Sequence, residues 1–349
     1  MRKQVLTLAT LAAILCCLTT SCGQSPQISL PRATPASQHF DAAAFDRYLA
    51  AVAETQTNMH SVMIVRNGKV IAEHWFEGFA PDQPHVLHSV SKTFTATAVG
   101  FAVNEGYISL TDKVINFFPD KLPAEVNDNL RALEIRHLLT MSSGHDVEPK
   151  RGEGDWLETF FHAPFVHPPG TEFVYNSLGT YVLSAIVQKT TGLKVADFLD
   201  PRLFRPLAIE GYEWDESPAG INCGGWGLHV KTEDMAKLGL FILQKGKWQG
   251  KQLLPEAWFD DATRSHIESL PAGTKREDLK VKKEDSDWLQ GYGYQMWRSR
   301  HNSFRADGAY GQYILVLPEH NAVIATTAQV GDMQAELNLI WDNLLEGFQ

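Results

Sequence analysis

The sequence predicts an α+β fold: one antiparallel sheet built from both chain ends, flanked by terminal helices, with a mainly helical domain inserted between them. Three observations carry that expectation. "SVMIVRNGKVIAEHWF" (61–76) reads as a hairpin, two apolar-rich runs joined by Asn67-Gly68, a pair that tolerates the positive φ of a type I′ turn. Near the other end, "YGYQMWRS" (292–299), "GQYILVLPEH" (311–320) and "NAVIATTAQ" (321–329) read as three more strands. Between them, residues 80–215 are mostly helical in pattern with Gly and Pro breaks. Strands at both ends and helices between are most simply assembled as one sheet domain (41–79 and 216–349) interrupted by a helical one (80–215).

The chain begins with Arg2 and Lys3, an apolar run over 5–18, and then Thr19-Thr20-Ser21-Cys22. Those are the charged, apolar and small-residue parts of a secretory signal, expected over 1–21. The run falls short of the ~20 residues of a spanning helix. Cys22 resembles the lipid-attachment cysteine of bacterial lipoproteins, although Thr19 stands where that family has an aliphatic residue. The resemblance implies an exported, periplasmic protein whose membrane contact is a lipid on Cys22. Residues 22–40, with "PRATPAS" at 31–37, read as a tether.

Of four cysteines only Cys223 lies in the body of the chain, so no internal disulfide can form there. It sits in "NCGGWG" with no basic neighbour to lower its pKa, and reads as a buried structural thiol. Of 31 Lys and Arg the leader takes two, leaving 29 against 41 Asp and Glu, a net charge of −12. Such a surface argues against nucleic acid and anionic lipid as partners.

In the body, "DAAAFDRYLAAVAETQT" (41–57) places Phe45, Leu49 and Val52 on one helical face, and the chain closes with a helical "DMQAELNLIWDNLLEGF" (332–348). A helix is expected from Ser89 to Asn104, stopped by Gly106, with Phe94, Ala98, Phe101 and Ala102 as its apolar stripe. It opens with Ser89-Val90-Ser91-Lys92. The i, i+3 relation puts Lys92 within reach of Ser89, where a lysine of lowered pKa would take the hydroxyl proton. The helix N-terminus offers the Ser89 N–H to a developing oxyanion. Alone, Ser-x-x-Lys is weak: about one match is expected by chance, and judged by itself a capped helix with a surface lysine is the better explanation.

Two further stretches bear on it. In "PPGTEFVYNSLGTYVLSAIVQKTTG" (168–192), Tyr175 precedes a helix running from about Leu178 to Thr191, a corner from which a phenol can act as general acid or base. In "RADGAYGQYILVLPE" (305–319), Gly308 and Gly311 at a strand start allow close approach of backbone or ligand, and the Ala309 N–H is the expected second oxyanion donor. An ordinary core tyrosine and a glycine bulge are the plain alternatives.

Together these stretches resemble the serine β-lactamase-like superfamily of class C β-lactamases, DD-peptidases, related esterases and 6-aminohexanoate-dimer hydrolases. "HSVSKTFTATAVG" matches its Ser-x-x-Lys helix, "LEIRHLLTMSSGH" (133–145) a helix and turn beside the site, and "FVYNS" its Tyr-x-Asn element. "ADG" (306–308) stands at its Lys-Thr-Gly strand, and "GLHVKTEDMAKLGLFIL" (227–243) at a later helix. The resemblance covers about 41–348 and implies Ser89 as nucleophile, Lys92 as its proton acceptor and Tyr175 as general acid/base, with no metal or cofactor. Two departures matter. Ser177 replaces an asparagine that contacts substrate, and Ala306 replaces the lysine or histidine that holds a substrate carboxylate. The implied substrate-binding set is Ser177, Asp307 and Gly308, and the partner a small-molecule or peptide-like acyl substrate; Trp156 in "GDWLETFF" reads either as a lining of the acyl pocket or as an ordinary packing residue. Arg305 or His301 is the alternative source of positive charge.

No His-Glu-x-x-His and no Gly-x-Ser-x-Gly occurs, which sets aside zincins and α/β-hydrolases. The mixed-charge run at 274–287 reads as a solvated loop that overhangs the cleft at most. The leading expectation is a serine hydrolase acting on an ester or uncharged amide. A penicillin-recognising β-lactamase or DD-peptidase is the alternative within the class, and a non-catalytic binding lipoprotein the alternative outside it.

Overall fold

The computed structural model describes residues 29–349. The leader and Cys22 lie outside the described residues. Helix α1 (Ala42–Thr55) leads into strands β1 (Met59–Arg66) and β2 (Lys69–Trp75). The middle of the chain contributes α2 (Ser91–Asn104), α3 (Ser177–Thr191) and α4 (Thr232–Leu243), with shorter helices between. Strands β3 (Trp297–Arg298), β4 (Phe304–Gly308), β5 (Gln312–Leu317) and β6 (Ala322–Ala328) follow, then α5 (Met333–Leu344). The six strands form one antiparallel sheet in the order β2-β1-β6-β5-β4-β3, so the N-terminal hairpin docks on the last strand of the C-terminal group.

Alternation along the strands sorts the core into two layers. Val62, Ile64, Tyr313, Leu315 and Ile324 face the terminal helices, where Tyr48, Val52, Leu337 and Trp341 cover them. Met63, Val65, Ile314, Val316 and Val323 face α4 and the helical middle. A Cβ on Gly239 would lie 2.5 Å from Val323 Cγ1, so glycine lets α4 lie close on the sheet. Every position of β1 is buried, because helices cover both faces.

Four details differ from expectation. Helix α2 has no single stripe: Ser91 to Ala102 are all buried, and its hydroxyls are satisfied across the packing, Thr93 to Gln295 O at 2.9 Å and Thr95 to Gly224 O at 2.9 Å. The segment read as a tether lies on the body from Leu30 onward. Leu30 and Phe40 are buried, and Arg32 pairs with Glu73 and Glu233. In "YGYQMWRS" only Trp297–Arg298 is strand, because Gln295 takes a positive φ of 56° and turns the chain. Gly308 and Gly311 do not start one strand but bracket the hairpin turn between β4 and β5.

Candidate functional site

The Ser89 segment is a 3-10 turn, His88–Val90, that runs straight into α2. His88 holds a φ of 46°, a left-handed conformation that a side-chain-bearing residue adopts at a cost, immediately before the serine. Strand β4 presses on this turn from one side. A Cβ on Gly308 would stand 2.3 Å from Leu87 O, so only glycine permits the two backbones to touch. The Leu87 N–H is held by Leu228 O at 2.8 Å. The turn after Gly308, which carries Ala309, thereby lies against the His88–Val90 turn, and the ring of Tyr310 lies edge-on to that of His88 at 5.4 Å. Among the described residues neither the Ser89 N–H nor the Ala309 N–H bonds a backbone acceptor outside its own element.

Lys92 is buried at 1 % exposure, in the first turn of α2. Its Nζ lies 3.0 Å from Ser89 Oγ, 2.8 Å from Gly225 O and 3.3 Å from Ser177 Oγ. Burial lowers its pKa to about 7; Glu148 and Asp307 act the other way, and Arg151 adds to the lowering. A neutral amine has two N–H donors and one lone pair. Gly225 O accepts from one N–H and Ser177 Oγ from the other, which leaves the lone pair facing the serine hydroxyl. The Tyr175 phenol hydrogen-bonds Ser89, and its ring lies 4.8 Å from Lys92 Nζ. Burial pushes its pKa well above the ordinary phenol value, against the effect of the Ser89 bond, so at neutral pH it carries its proton.

Tyr175 is fixed from behind. The Asn176 N–H donates to Met141 Sδ at 3.2 Å, and the Val174 N–H to Met141 O at 2.8 Å, which ties the Tyr-x-Asn segment to the turn after "LEIRHLLT". Trp297 stacks on the phenol ring at 5.7 Å. Phe173, Tyr175, Trp288, Leu289 and Trp297 line an apolar cavity of about 380 Å³ on this side, with Pro271 and Ala272 of the neighbouring loop at its rim. Ser177, Trp156, Glu148 and Arg151 line a second cavity, of about 650 Å³, on the Lys92 side.

Ser89, Lys92, Tyr175, Ser177 and Gly308 therefore meet at one place, and Trp156 stands at its edge. Ser177 contacts the lysine besides lining the cavity. Asp307 does not offer a free carboxylate to the cleft: Arg305 Nε holds its Oδ2 at 2.8 Å. Arg305 itself is fully buried, bonded to Asp287 O and Ser299 Oγ, and cannot reach a ligand. His301 packs on Trp341, at 5.0 Å between rings. Cys223 is buried, which pushes its thiol up to about 12.

Sequence reading missed two participants. Gly225, two residues after Cys223, supplies the carbonyl that holds Lys92, and a Cβ there would lie 2.9 Å from Ser177 O. The Gly224-Gly225 pair was the available signal. Gln295 joins three elements, accepting from Thr93 and Thr180 and donating to Leu138 O. Nothing in the local sequence marks it.

A protein-family model described as Beta-lactamase matches residues 44–346. A 6-aminohexanoate-dimer hydrolase of Paenarthrobacter ureafaciens is 28 % identical over 291 residues, 77 % of this chain and 72 % of that protein. Among solved structures, a hydrolase with promiscuous acyltransferase activity, EstCE1, superposes with a TM-score of 0.69 at 17 % identity, covering 88 % of this chain and 98 % of its own. The octameric penicillin-binding protein homologue from Pyrococcus abyssi gives 0.67 at 18 % identity, covering 88 % and 78 %. At those identities the structures show the shared fold.

Proposed function

The chain belongs to the beta-lactamase family, and from that premise we propose that it is a serine hydrolase working through an acyl-enzyme on ester or amide bonds. The observation that carries this reading is the buried Lys92 amine, 3.0 Å from Ser89 Oγ with its other donors already taken. Ser89 Oγ attacks the substrate carbonyl while its proton passes to Lys92 Nζ. The Ser89 and Ala309 N–H groups receive the oxyanion. As the tetrahedral intermediate collapses, the Tyr175 phenol gives its proton to the leaving group and is restored through Lys92. Water then repeats the sequence on the acyl-enzyme. The aromatic cavity beside Tyr175 takes an apolar leaving group. Ala306 supplies no cation on the strand side, which favours an ester or an amide uncharged there over a penicillin or a peptide carboxylate. The leader over 1–21, with Cys22 directly after its small residues, supports export and attachment through Cys22.

The test is intact-mass analysis of the protein after incubation with a fluorophosphonate, wild type beside Ser89→Ala. One adduct on the wild type and none on the variant is expected. No adduct on either would move the protein to the non-catalytic binding alternative. Stable acylation by a penicillin would move it to the β-lactamase and DD-peptidase alternative.

A further inference from the structure

The cavity on the Lys92 side holds charge that the acyl-transfer chemistry does not use. Arg151 lines it with its guanidinium carbon 3.9 Å from the centre of the Trp226 ring and 5.9 Å from that of Trp156. The two indoles lie 5.5 Å apart and are held in turn: Trp156 against Tyr181 at 5.1 Å, with its Nε1–H donating to Gly152 O. A guanidinium laid on an indole keeps its N–H edge free, and that edge matches a carboxylate in two-point geometry. No ion pair occupies it among the described residues, although other arginines here, such as Arg32, Arg202 and Arg300, do have carboxylate partners.

The cavity's own acid is already committed. Glu148 Oε1 accepts the Ser177 N–H at 2.7 Å, at the first turn of α3. Lys150, exposed at the rim, adds a second positive charge. Ser177, on the cavity wall, lies 3.3 Å from Lys92 Nζ, so the cavity opens directly onto the reacting centre. Tyr175 and its aromatic cavity take the leaving group on the other side, which leaves this one for the acyl chain.

We propose that the cavity is an anion subsite in which Arg151, shelved on Trp226 and Trp156, receives a carboxylate at the far end of the substrate's acyl chain. The substrates are then half-esters or half-amides of dicarboxylic acids, or acyl chains ending in a comparable anion. The proposal rests on the hydrolase reading and gives it a substrate class. It also relocates the missing cation: what Ala306 lacks on the strand, Arg151 supplies from the opposite wall, several bonds away from the scissile carbonyl.

The experiment compares kcat/KM for 4-nitrophenyl butyrate with that for the mono-4-nitrophenyl esters of glutaric and adipic acid, in the full-length wild type, Arg151→Gln and Arg151→Lys. The expected result is a preference of about tenfold for at least one half-ester in the wild type, the size of one charge-assisted contact. That ratio collapses toward one in Arg151→Gln, survives in part in Arg151→Lys and shrinks as salt is raised. Turnover of the butyrate with no preference for either half-ester, or an equal ratio in wild type and Arg151→Gln, overturns the anion subsite and leaves the hydrolase reading intact. No turnover of any ester, together with no fluorophosphonate adduct, removes both.

Discussion

A lysine amine at 1 % exposure would ordinarily be a defect, and the surroundings of Lys92 show how it is kept. Its hydrogen-bond partners are a backbone carbonyl and two hydroxyls, with no carboxylate in contact, so the pull of Glu148 and Asp307 only partly offsets what burial removes. The activity limb follows: kcat/KM on a neutral ester rises with pH through about 7 as the amine loses its proton, measured as initial rates from pH 5 to 9. Stability carries the same signature. The folded amine titrates near 7 and the unfolded one near ~10.4. Between those values the unfolded chain holds the extra proton, so the wild type gains stability as pH rises. It loses that gain as pH falls through 7. Lys92→Met removes the titration. Its unfolding free energy therefore stands highest relative to the wild type at pH 6, and the gap closes toward pH 10 by up to about 1.4 kcal/mol per pH unit. Denaturant melts at pH 6, 8 and 10 check this, and a constant gap would show that the folded amine keeps an ordinary lysine pKa.

At the scale of elements, the site depends on how closely β4 lies against the Ser89 turn. Gly308 sets that distance, because a methyl there meets Leu87 O, a backbone atom with no rotamer to yield. Gly308→Ala is expected to shift the Ala309 turn away from Ser89 and to lower kcat/KM by about 100-fold, as an ångström of displacement in a preorganised site does. Fluorophosphonate labelling would slow in step, while far-UV circular dichroism stays native. Unchanged turnover would show that the Ala309 N–H is not an oxyanion donor. The elements themselves were largely legible. Asn67-Gly68 marks the first hairpin, and the continuous apolar runs in 311–329 mark β5 and β6, because strands covered on both faces are uniformly apolar. The Ser-x-x-Lys motif and the Tyr175 corner were weak taken alone and became legible through the resemblance of the whole set of stretches. What was not legible is long-range. Gly225 O reaching Lys92, Gln295 bridging three elements and Arg305 taking Asp307 all join residues whose meeting depends on packing, and the sequence near each carries no trace of its partner. Arg151 belongs to the same group, since its shelf, Trp226, lies on a distant loop.

Across the whole molecule, the larger apolar cluster runs without a break from sheet residues such as Met63, Ile314 and Val323, through α4 and α2, to Phe198 and Leu203 in the helical part. Polar ties cross the same ground: Thr93 and Thr180 bind Gln295, and Ser184 binds Asn222 O. The reacting groups are drawn from both regions, Tyr175 and Ser177 from the helical stretch and the Ala309 turn from the sheet. A helical part that melted alone would strip α2 of its cover on most sides and expose the hydroxyls of Ser91, Thr93 and Thr95. Its loss is therefore coupled to loss of the sheet. The expectation is one cooperative transition, with calorimetric and van't Hoff enthalpies equal, unusual for a chain this long. Phe198→Ala, fully buried and far from the sheet, is expected to cost about 3–5 kcal/mol and to move the whole transition, seen alike in far-UV circular dichroism and tryptophan fluorescence. A second transition, or a Phe198→Ala variant whose tryptophans unfold at the wild-type midpoint while its helices melt early, would mean that the two regions are held together only at the site they share.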